Sequence, residues 1–137
     1  MKVQKVVVDS DIIIEHLTTD RTRSYLRVLS ARFFCYTTIF TAIELFAAAR
    51  GLKETRAVQQ AMDALKVISI NPKSAKNIAR VVSSSDTQDM TALTVAVCLE
   101  SGLPLATLRP QRYTRFKSLQ VIDLRSIIHE ERRTLLA

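Results

Sequence analysis

Charged side chains lie at or near the carboxyl ends of the strands that the sequence predicts. Asp9 follows a Val-rich run at 3–8, Glu44 lies in the helix after the second predicted strand, and Arg109 follows the fourth. Ligands of a parallel sheet bind outside the carboxyl ends of its strands. Carboxylates that converge there repel one another, and hard oxygen ligands select Mg²⁺ or Mn²⁺. Such an ion activates water and stabilises charge on a phosphate, so the pattern favours phosphodiester hydrolysis.

Each acidic residue also has a purely structural interpretation. Asp9 is a candidate N-cap for the helix that follows it. The sequence Thr41-Ala42-Ile43-Glu44 has the form of a capping box, and Asp86-Thr87-Gln88-Asp89 resembles another helix N-terminus. Taken singly, each acid favours the structural interpretation. Their joint position at strand ends favours a functional role for Asp9 and Glu44, but not for Asp86.

The hydrophobic pattern alternates predicted strands with predicted helices. The predicted strands are 3–8, 33–38, 67–70, 105–108 and 119–124. The predicted helices are 11–17, 20–30, 41–50, 54–66, 74–82 and 88–101. This alternation predicts an α/β fold with a mainly parallel central sheet of about five strands flanked by helices. We expect one domain over residues 1–124 and a C-terminal tail at 125–137 that forms a short helix.

The composition is that of a folded globular chain. The 137 residues are 47% hydrophobic, with 2 Gly and 3 Pro. No apolar run reaches the roughly 18 residues of a membrane helix, and the start of the chain does not have the pattern of a signal peptide. We therefore expect a cytoplasmic protein with no membrane partner. Cys35 and Cys98 lie in apolar stretches and are predicted to be buried small hydrophobic residues, without a disulfide or a metal.

The net charge indicates a polyanionic partner. Twenty Lys and Arg residues against thirteen Asp and Glu residues give +7. Such a surface attracts polyanions, among which RNA and DNA are the first candidates. The basic residues are spread along the chain rather than gathered in one run, so a basic protein that is merely soluble is the alternative.

Three segments together resemble PIN-domain proteins, among them the small toxin ribonucleases of the VapC type. They are VVVDSDIIIEHL, TTIFTAIELFAAAR and TALTVAVCLESGLPLATLRPQRYTRFKSLQVIDL, in the order and spacing of that family. The resemblance covers about residues 3–124. It implies a PIN-like domain in which an acidic quartet holds Mg²⁺ or Mn²⁺ and cleaves RNA. It also implies a homodimer and a small antitoxin partner.

The resemblance assigns the first two acids of that quartet to residues present here. Asp9 takes the first position and Glu44 the second, so both are the expected catalytic residues and metal ligands. Asp11 matches the small polar or acidic residue two positions after the first acid. Thr107 matches the threonine that precedes the fourth acid.

The other two acidic positions depart from the family pattern. Counting back from Gly102-Leu103-Pro104 puts the third acid at Thr91, whose hydroxyl alone is a poor Mg²⁺ ligand. Asp89 lies two residues earlier, about 200° around a helix. It is a substitute metal ligand only if the helix begins later or the loop bends. The fourth position holds Arg109.

Arg109 has the strongest electrostatic consequence of these changes. Its guanidinium could pair with Asp9 or Glu44 in place of the metal, or bind a phosphate directly. Alternatively, it is a solvent-facing loop residue. We group Asp11, Thr91, Thr107 and Arg109 as candidate substrate-binding residues.

Two functions of different classes follow from these residues. One is a metal-dependent ribonuclease, the toxin of a toxin–antitoxin pair. The other is a catalytically impaired PIN-like module that binds RNA or a protein partner. A third interpretation, a phosphatase of the haloacid-dehalogenase type with Asp9 as nucleophile, ranks below both. The chain lacks the Gly-Thr after Asp11 and the late Gly-Asp motif that such an enzyme needs.

Overall fold

The structure is a computed structural model that describes residues 4–85 and 89–136, without the side chains of 130–132 and 134–136. Val3, the predicted start of the first strand, and the predicted cap residues Asp86, Thr87 and Gln88 lie outside the described residues. The strands are β1 (Gln4–Val8), β2 (Phe33–Thr38), β3 (Lys66–Ile68), β4 (Leu105–Thr107) and β5 (Val121–Asp123). The α-helices are α1 (Ser10–Thr18), α2 (Tyr25–Arg32), α3 (Ile39–Ala48), α4 (Gly51–Asp63), α5 (Ser74–Ser83), α6 (Met90–Ser101) and α7 (Leu124–Leu136). A 3-10 turn covers Pro110–Tyr113.

The five strands form one parallel sheet in the order β3-β2-β1-β4-β5. β1 lies at the centre, and its residues Val6, Val7 and Val8 are fully buried. The chain first builds outward from β1 to β3 and then crosses to the other side of β1 to add β4. The direction of winding therefore reverses between β1 and β4, and a crevice opens there at the carboxyl ends of the strands. The predicted α/β class with a parallel sheet is confirmed.

The two faces of the sheet bury different helices. On one face, Val6 and Val8 of β1 pack with Ile12 and Ile13 of α1 and with buried residues of α2, α3 and α4. On the other face, Val7 packs with α6, β4 and the 3-10 turn. The alternation of side chains along β1 thus assigns one helical layer to each face.

The cysteines are free and buried, as predicted. Burial, followed by the charge of Asp9, raises the pKa of Cys98 to about 12, and burial raises that of Cys35. Both thiols therefore act as small apolar groups. Within the described part of the chain, no helix is both long and apolar enough to cross a membrane.

Several predicted helix starts are wrong because a different residue caps the helix. α2 begins at Tyr25 rather than Asp20, since the hydroxyl of Ser24 accepts the Arg27 N–H. α3 begins at Ile39 because the hydroxyl of Thr38 accepts the Thr41 N–H at 3.1 Å. The predicted capping box from Thr41 to Glu44 is therefore wrong, because Thr38 caps this helix. Glu44 does not have the capping role that this box would give it.

Two helix boundaries lie at glycines with positive φ, Gly51 and Gly102. Gly51, directly after the predicted helix 41–50, has a φ of 75° and begins α4, while α3 ends at Ala48 rather than at Arg50. Gly102 ends α6 in the left-handed conformation, with φ 66° and ψ 28°. Its N–H bonds the Leu99 carbonyl, and the Leu103 N–H bonds that of Cys98.

Replacing Gly102 with alanine should destabilise the protein by about 1 kcal/mol, because a Cβ is strained at positive φ. A Cβ at this position meets no atom within 4 Å, so the cost is that of the backbone alone. Urea unfolding of Gly102→Ala and of the exposed neighbour variant Ser101→Ala measures the difference. Equal or greater stability of Gly102→Ala would show that the left-handed turn is not required.

Candidate functional site

A buried carboxylate, that of Asp9, lies where β1 ends. Only 3% of Asp9 is exposed. Its Oδ1 accepts the Ser10 N–H at 2.8 Å, so the predicted cap of α1 is confirmed. Its Oδ2 accepts the Thr107 hydroxyl at 2.9 Å and the Tyr113 hydroxyl at 2.6 Å. Asp9 is therefore both a helix cap and the point where β1, β4 and the 3-10 turn meet.

Asp11 forms a second layer of this network beneath Asp9. Its Oδ2 lies 3.1 Å from the Thr107 hydroxyl and accepts the Leu108 N–H at 3.1 Å. Thr107 has one hydroxyl hydrogen, so it donates to only one of the two carboxyls at a time. Its oxygen in turn accepts the Arg109 N–H at 3.1 Å. Asp11 and Thr107, two of the candidate substrate-binding residues, thus belong to the hydrogen-bond network that holds Asp9.

The other oxygen of Asp11, Oδ1, is buried and has no hydrogen-bond partner. Burial, and then the charge of Asp9, raises the pKa of the Asp11 carboxyl, while the hydrogen bonds from Thr107 and Leu108 oppose this shift. An unpaired buried carboxylate oxygen is costly. The ionised form of Asp11 is therefore a source of instability at this site.

Tyr113 is almost fully buried, with 2% of its surface exposed. Burial and the charge of Asp9 raise the pKa of its phenol far above the usual value. The phenol stays protonated and acts as a donor to Asp9. No role for Tyr113 was predicted from the sequence, and the sequence feature that indicates one is weak. It is an aromatic residue shortly after a predicted site, on a turn marked by Pro110.

A cleft of about 190 Å³ opens over Asp9. It brings together four of the predicted site residues, namely Asp9, Glu44, Asp89 and Thr91. The remaining lining residues are Ser10, Thr41, Met90, Thr94, Arg112 and Tyr113. Arg109 is an exposed residue that does not line this cleft.

The start of α6 decides the placement of Asp89 and Thr91. The helix begins at Met90 rather than at Gln88, and Asp89 is its N-cap, with Oδ1 accepting the Ala92 N–H at 3.3 Å. Asp89 therefore precedes the helix and reaches the cleft as an exposed side chain. Thr91 follows in the first turn, with 9% of its surface exposed.

The cation of the cleft comes from Arg112, which the sequence analysis had not singled out. Its Nη2 donates to the Thr91 hydroxyl at 3.3 Å. The 3-10 turn at Pro110–Tyr113 directs Arg112 and Tyr113 toward β1 and leaves Arg109 outside. A guanidinium therefore lies at the position where the PIN-domain resemblance expects the third acid.

These residues do not fit the divalent metal that the resemblance implies. The described residues contain no group of three His, Cys, Asp or Glu side chains arranged to hold a metal ion. Both oxygens of Asp9 already accept hydrogen bonds from Ser10, Thr107 and Tyr113. Arg112 brings a fixed positive charge into the same cleft, which disfavours a second cation.

Comparison with solved structures identifies the fold. DNA-bound VapBC from Salmonella typhimurium aligns with a TM-score of 0.71 at 15% identity, covering 89% of this chain and 99% of that one. VapBC2 from Rickettsia felis, bound to a promoter DNA fragment, aligns at 0.69 and 13%, covering 87% and 98%. VapBC-1 from nontypeable Haemophilus influenzae aligns at 0.69 and 17%, covering 88% and 98%.

The chain has a PIN-domain fold of the VapC type. The predicted resemblance is thereby confirmed at the level of the fold. No protein-family model matches the sequence, and no curated protein sequence does either. At identities of 13–17% to these VapBC structures, the fold is shared, but the chemistry of this PIN domain has to follow from its own side chains.

Asp11→Asn should stabilise the protein increasingly as the pH rises. The folded-state pKa of Asp11 is raised above its usual 3.8, so the folded protein binds the proton more tightly than the unfolded chain. The native state then loses stability as the pH rises from 3.8 through the raised pKa. The asparagine variant lacks this loss.

Urea unfolding of wild type and Asp11→Asn across this pH range measures the effect as a difference in unfolding free energy. Asp20→Asn, which removes an exposed carboxylate, is the matched control. A difference between Asp11→Asn and wild type that does not change with pH would contradict the prediction.

Proposed function

We propose that this PIN-domain protein binds RNA in the cleft over Asp9 without metal-dependent hydrolysis, and that it pairs with a small antitoxin-type protein. The observation that supports this proposal is the contact between Arg112 and Thr91. It puts a permanent guanidinium in the cleft, beside a carboxylate whose hydrogen bonds are already made. The cleft thus offers a phosphate one guanidinium, which lies among the carboxylates of Asp9, Glu44 and Asp89.

Arg112 suits the phosphate backbone of RNA. A guanidinium presents several N–H donors in a plane that matches phosphate oxygens, and it remains charged at any physiological pH. The net charge of +7 adds a long-range attraction that is independent of base sequence. The expected binding mode is therefore recognition of phosphate, with a strong dependence on salt.

The exposed acids of the cleft can accept hydrogen bonds from the sugar and the base of a ribonucleotide. Glu44 and Asp89 line the same cleft and are both exposed. Their carboxylates accept hydrogen bonds from the 2′-hydroxyl and from base amino groups, and the 2′-hydroxyl is absent from DNA. Arg112 and these two acids together favour RNA over DNA.

A separate groove supports the proposed protein partner. It lies between α1, α3 and α4 and has a volume of about 240 Å³. Its lining is mostly apolar: Ile14, Leu17, Leu45, Ala48, Ala49, Ala57 and Val58, with Thr18 and Glu54. Ile14 is 45% exposed in the isolated chain. A toxin–antitoxin complex from Klebsiella pneumoniae has the same fold, and we propose that an apolar antitoxin segment, rather than a second copy of the chain, covers this groove.

Arg112→Ala should weaken binding of single-stranded RNA about tenfold, the order expected for one charge-assisted contact. Arg109→Ala removes the same charge three residues earlier, outside the cleft, and should have a much smaller effect. Fluorescence anisotropy with a labelled oligoribonucleotide measures both, with EDTA present to exclude a bound metal. An equal loss in both variants would mean that only net charge matters, and a loss in Arg109→Ala alone would move the contact to Arg109.

A metal-dependent ribonuclease remains the second candidate function. The observation that favours it is that Asp9, Glu44 and Asp89 line one cleft. A metal there would lie in the same cleft as the guanidinium of Arg112, with one acceptor site of Asp9 Oδ1 left for it beside the Ser10 hydrogen bond.

We expect no RNA cleavage in Mn²⁺ above that of Asp9→Asn purified in the same way, and no rise of Tm in millimolar Mn²⁺. A ligand that binds the native state raises Tm, so a metal site would be visible even without turnover. Glu44→Gln serves as a second variant, because Glu44 is exposed and its replacement leaves the buried network intact. Cleavage or a Tm shift that needs Mn²⁺, Asp9 and Glu44 would establish the nuclease instead.

A further inference from the structure

A second cavity, of about 530 Å³, lies near the end of α6 that is remote from the cleft. Its lining comes from three separate segments: the end of α5 and the residues after it, the last turns of α6, and the chain between the 3-10 turn and β5. These residues are Arg80, Val81, Ser84, Ser85, Leu99, Arg115, Phe116, Lys117 and Ser118. The proposed RNA-binding cleft shares none of them.

The floor of this cavity is apolar. Val81, Leu99 and Phe116 are partly buried and pack against the core that surrounds Val7 and Leu105. The guanidinium of Arg115 lies 5.0 Å from the centroid of the Phe116 ring, a cation–π distance. The cavity thus offers the ring of Phe116 in its floor and the exposed guanidinium of Arg115 over that ring, and nucleic-acid bases stack on both kinds of surface.

The rim of the cavity is basic and hydroxyl-rich. Arg80 and Lys117 come from different segments of the chain and converge on it, and no acid is among the described lining residues. The hydroxyl of Ser118 adds a hydrogen-bond donor. Two cations with a hydroxyl between separate segments form an arrangement suited to a phosphate group.

We propose that this cavity binds a nucleotide unit. Arg80 and Lys117 contact its phosphate, and its base packs on the floor formed by Val81, Leu99 and Phe116. The volume falls within the roughly 300–1,000 Å³ of small-ligand sites. The phosphate and base that the cavity binds could belong to a free nucleotide or to one unit of an RNA strand. For the strand, this inference rests on the proposed RNA binding.

One RNA strand could contact both the cleft and the second cavity, because residues of α6 line both of them. Thr91 lies in its first turn and Leu99 near its end, about 12 Å apart at 1.5 Å per residue. Because α6 is buried between these ends, an RNA strand that contacts Arg112 and the second cavity would cross the segments that cover the helix. Such a strand would make phosphate contacts at both places, and its affinity would depend more steeply on salt than the cleft alone requires.

The test measures binding of AMP, inorganic phosphate and a labelled single-stranded oligoribonucleotide. The pocket variant is the double substitution Arg80→Ala and Lys117→Ala. The matched control is Arg23→Ala and Arg27→Ala, which removes two exposed charges near α2, on the opposite face of the sheet. We expect AMP to bind wild type more tightly than phosphate does, and the pocket variant to lose at least about tenfold in AMP affinity. The control should keep the wild-type affinity.

The oligoribonucleotide identifies the source of the nucleotide. A loss of its affinity in the pocket variant but not in the control identifies a strand, and an unchanged affinity identifies a free nucleotide. AMP affinities that are equal in the pocket variant and the control would overturn the proposal. So would AMP binding no tighter than phosphate, because the apolar floor would then contribute nothing, and so would an absence of AMP binding.

Arg112→Ala separates this inference from the proposed function. If Arg112→Ala leaves oligoribonucleotide binding intact while the pocket variant weakens it, the cavity binds the strand and the cleft does not. If Arg112→Ala weakens strand binding while the pocket variant alters neither strand nor AMP binding, the cleft proposal stands and the cavity proposal fails.

Discussion

The carboxylate of Asp9 is buried at the centre of the sheet, and burying a charge is costly unless hydrogen bonds compensate for it. Its three donors are the N–H of Ser10 and the hydroxyls of Thr107 and Tyr113. They belong to the start of α1, the end of β4 and the 3-10 turn. Satisfying this one buried carboxylate therefore requires the segment from Thr107 to Tyr113 to meet the start of α1 at the carboxyl end of β1. The geometry of the whole cleft depends on this requirement.

The same requirement limits the chemistry of the site. The three hydrogen bonds to Asp9 leave about one acceptor site, on Oδ1, for a further partner. Tyr113 cannot release its proton at neutral pH, because burial and the charge of Asp9 raise its pKa. Arg112, from the same turn, adds the positive charge. The carboxylate of Asp9 thus has its hydrogen-bond donors, and the cleft its guanidinium, from the chain itself.

Polar and apolar surfaces are distributed on different sides of the sheet. The apolar groove lies on the α1, α3 and α4 side, whereas the basic cavity lies on the α5 and α6 side. The cleft opens between them, at the carboxyl ends of β1 and β4. The groove for the proposed protein partner and the two surfaces for the proposed RNA contacts therefore lie apart from one another. A partner bound in the groove would leave the cleft and the basic cavity open.

Local sequence determined the elements and the position of the site. Buried strands and amphipathic helices follow from apolar patterns within a few residues, so β1, β2 and α6 were predicted close to their observed bounds. Asp9 and Glu44 were singled out by the same local patterns, because a parallel sheet collects the residues at its strand ends, whereas Asp89 was only a conditional substitute that came from the family resemblance. Helix starts were less predictable, since Thr38 and Thr41 are both good caps. The hydrogen bond that the chain forms, from Thr41 N–H to Thr38, depends on where β2 ends in the sheet.

Only the tertiary structure decided which cation and which donor reach the cleft. Arg109 and Arg112 are equivalent in sequence terms, and the 3-10 turn between them determines that Arg112 faces Thr91. The bond from Tyr113 to Asp9 joins residues 104 positions apart. No local pattern encodes such a pair, because its energy arises only when the sheet has brought β1 and β4 together and removed water from the carboxylate.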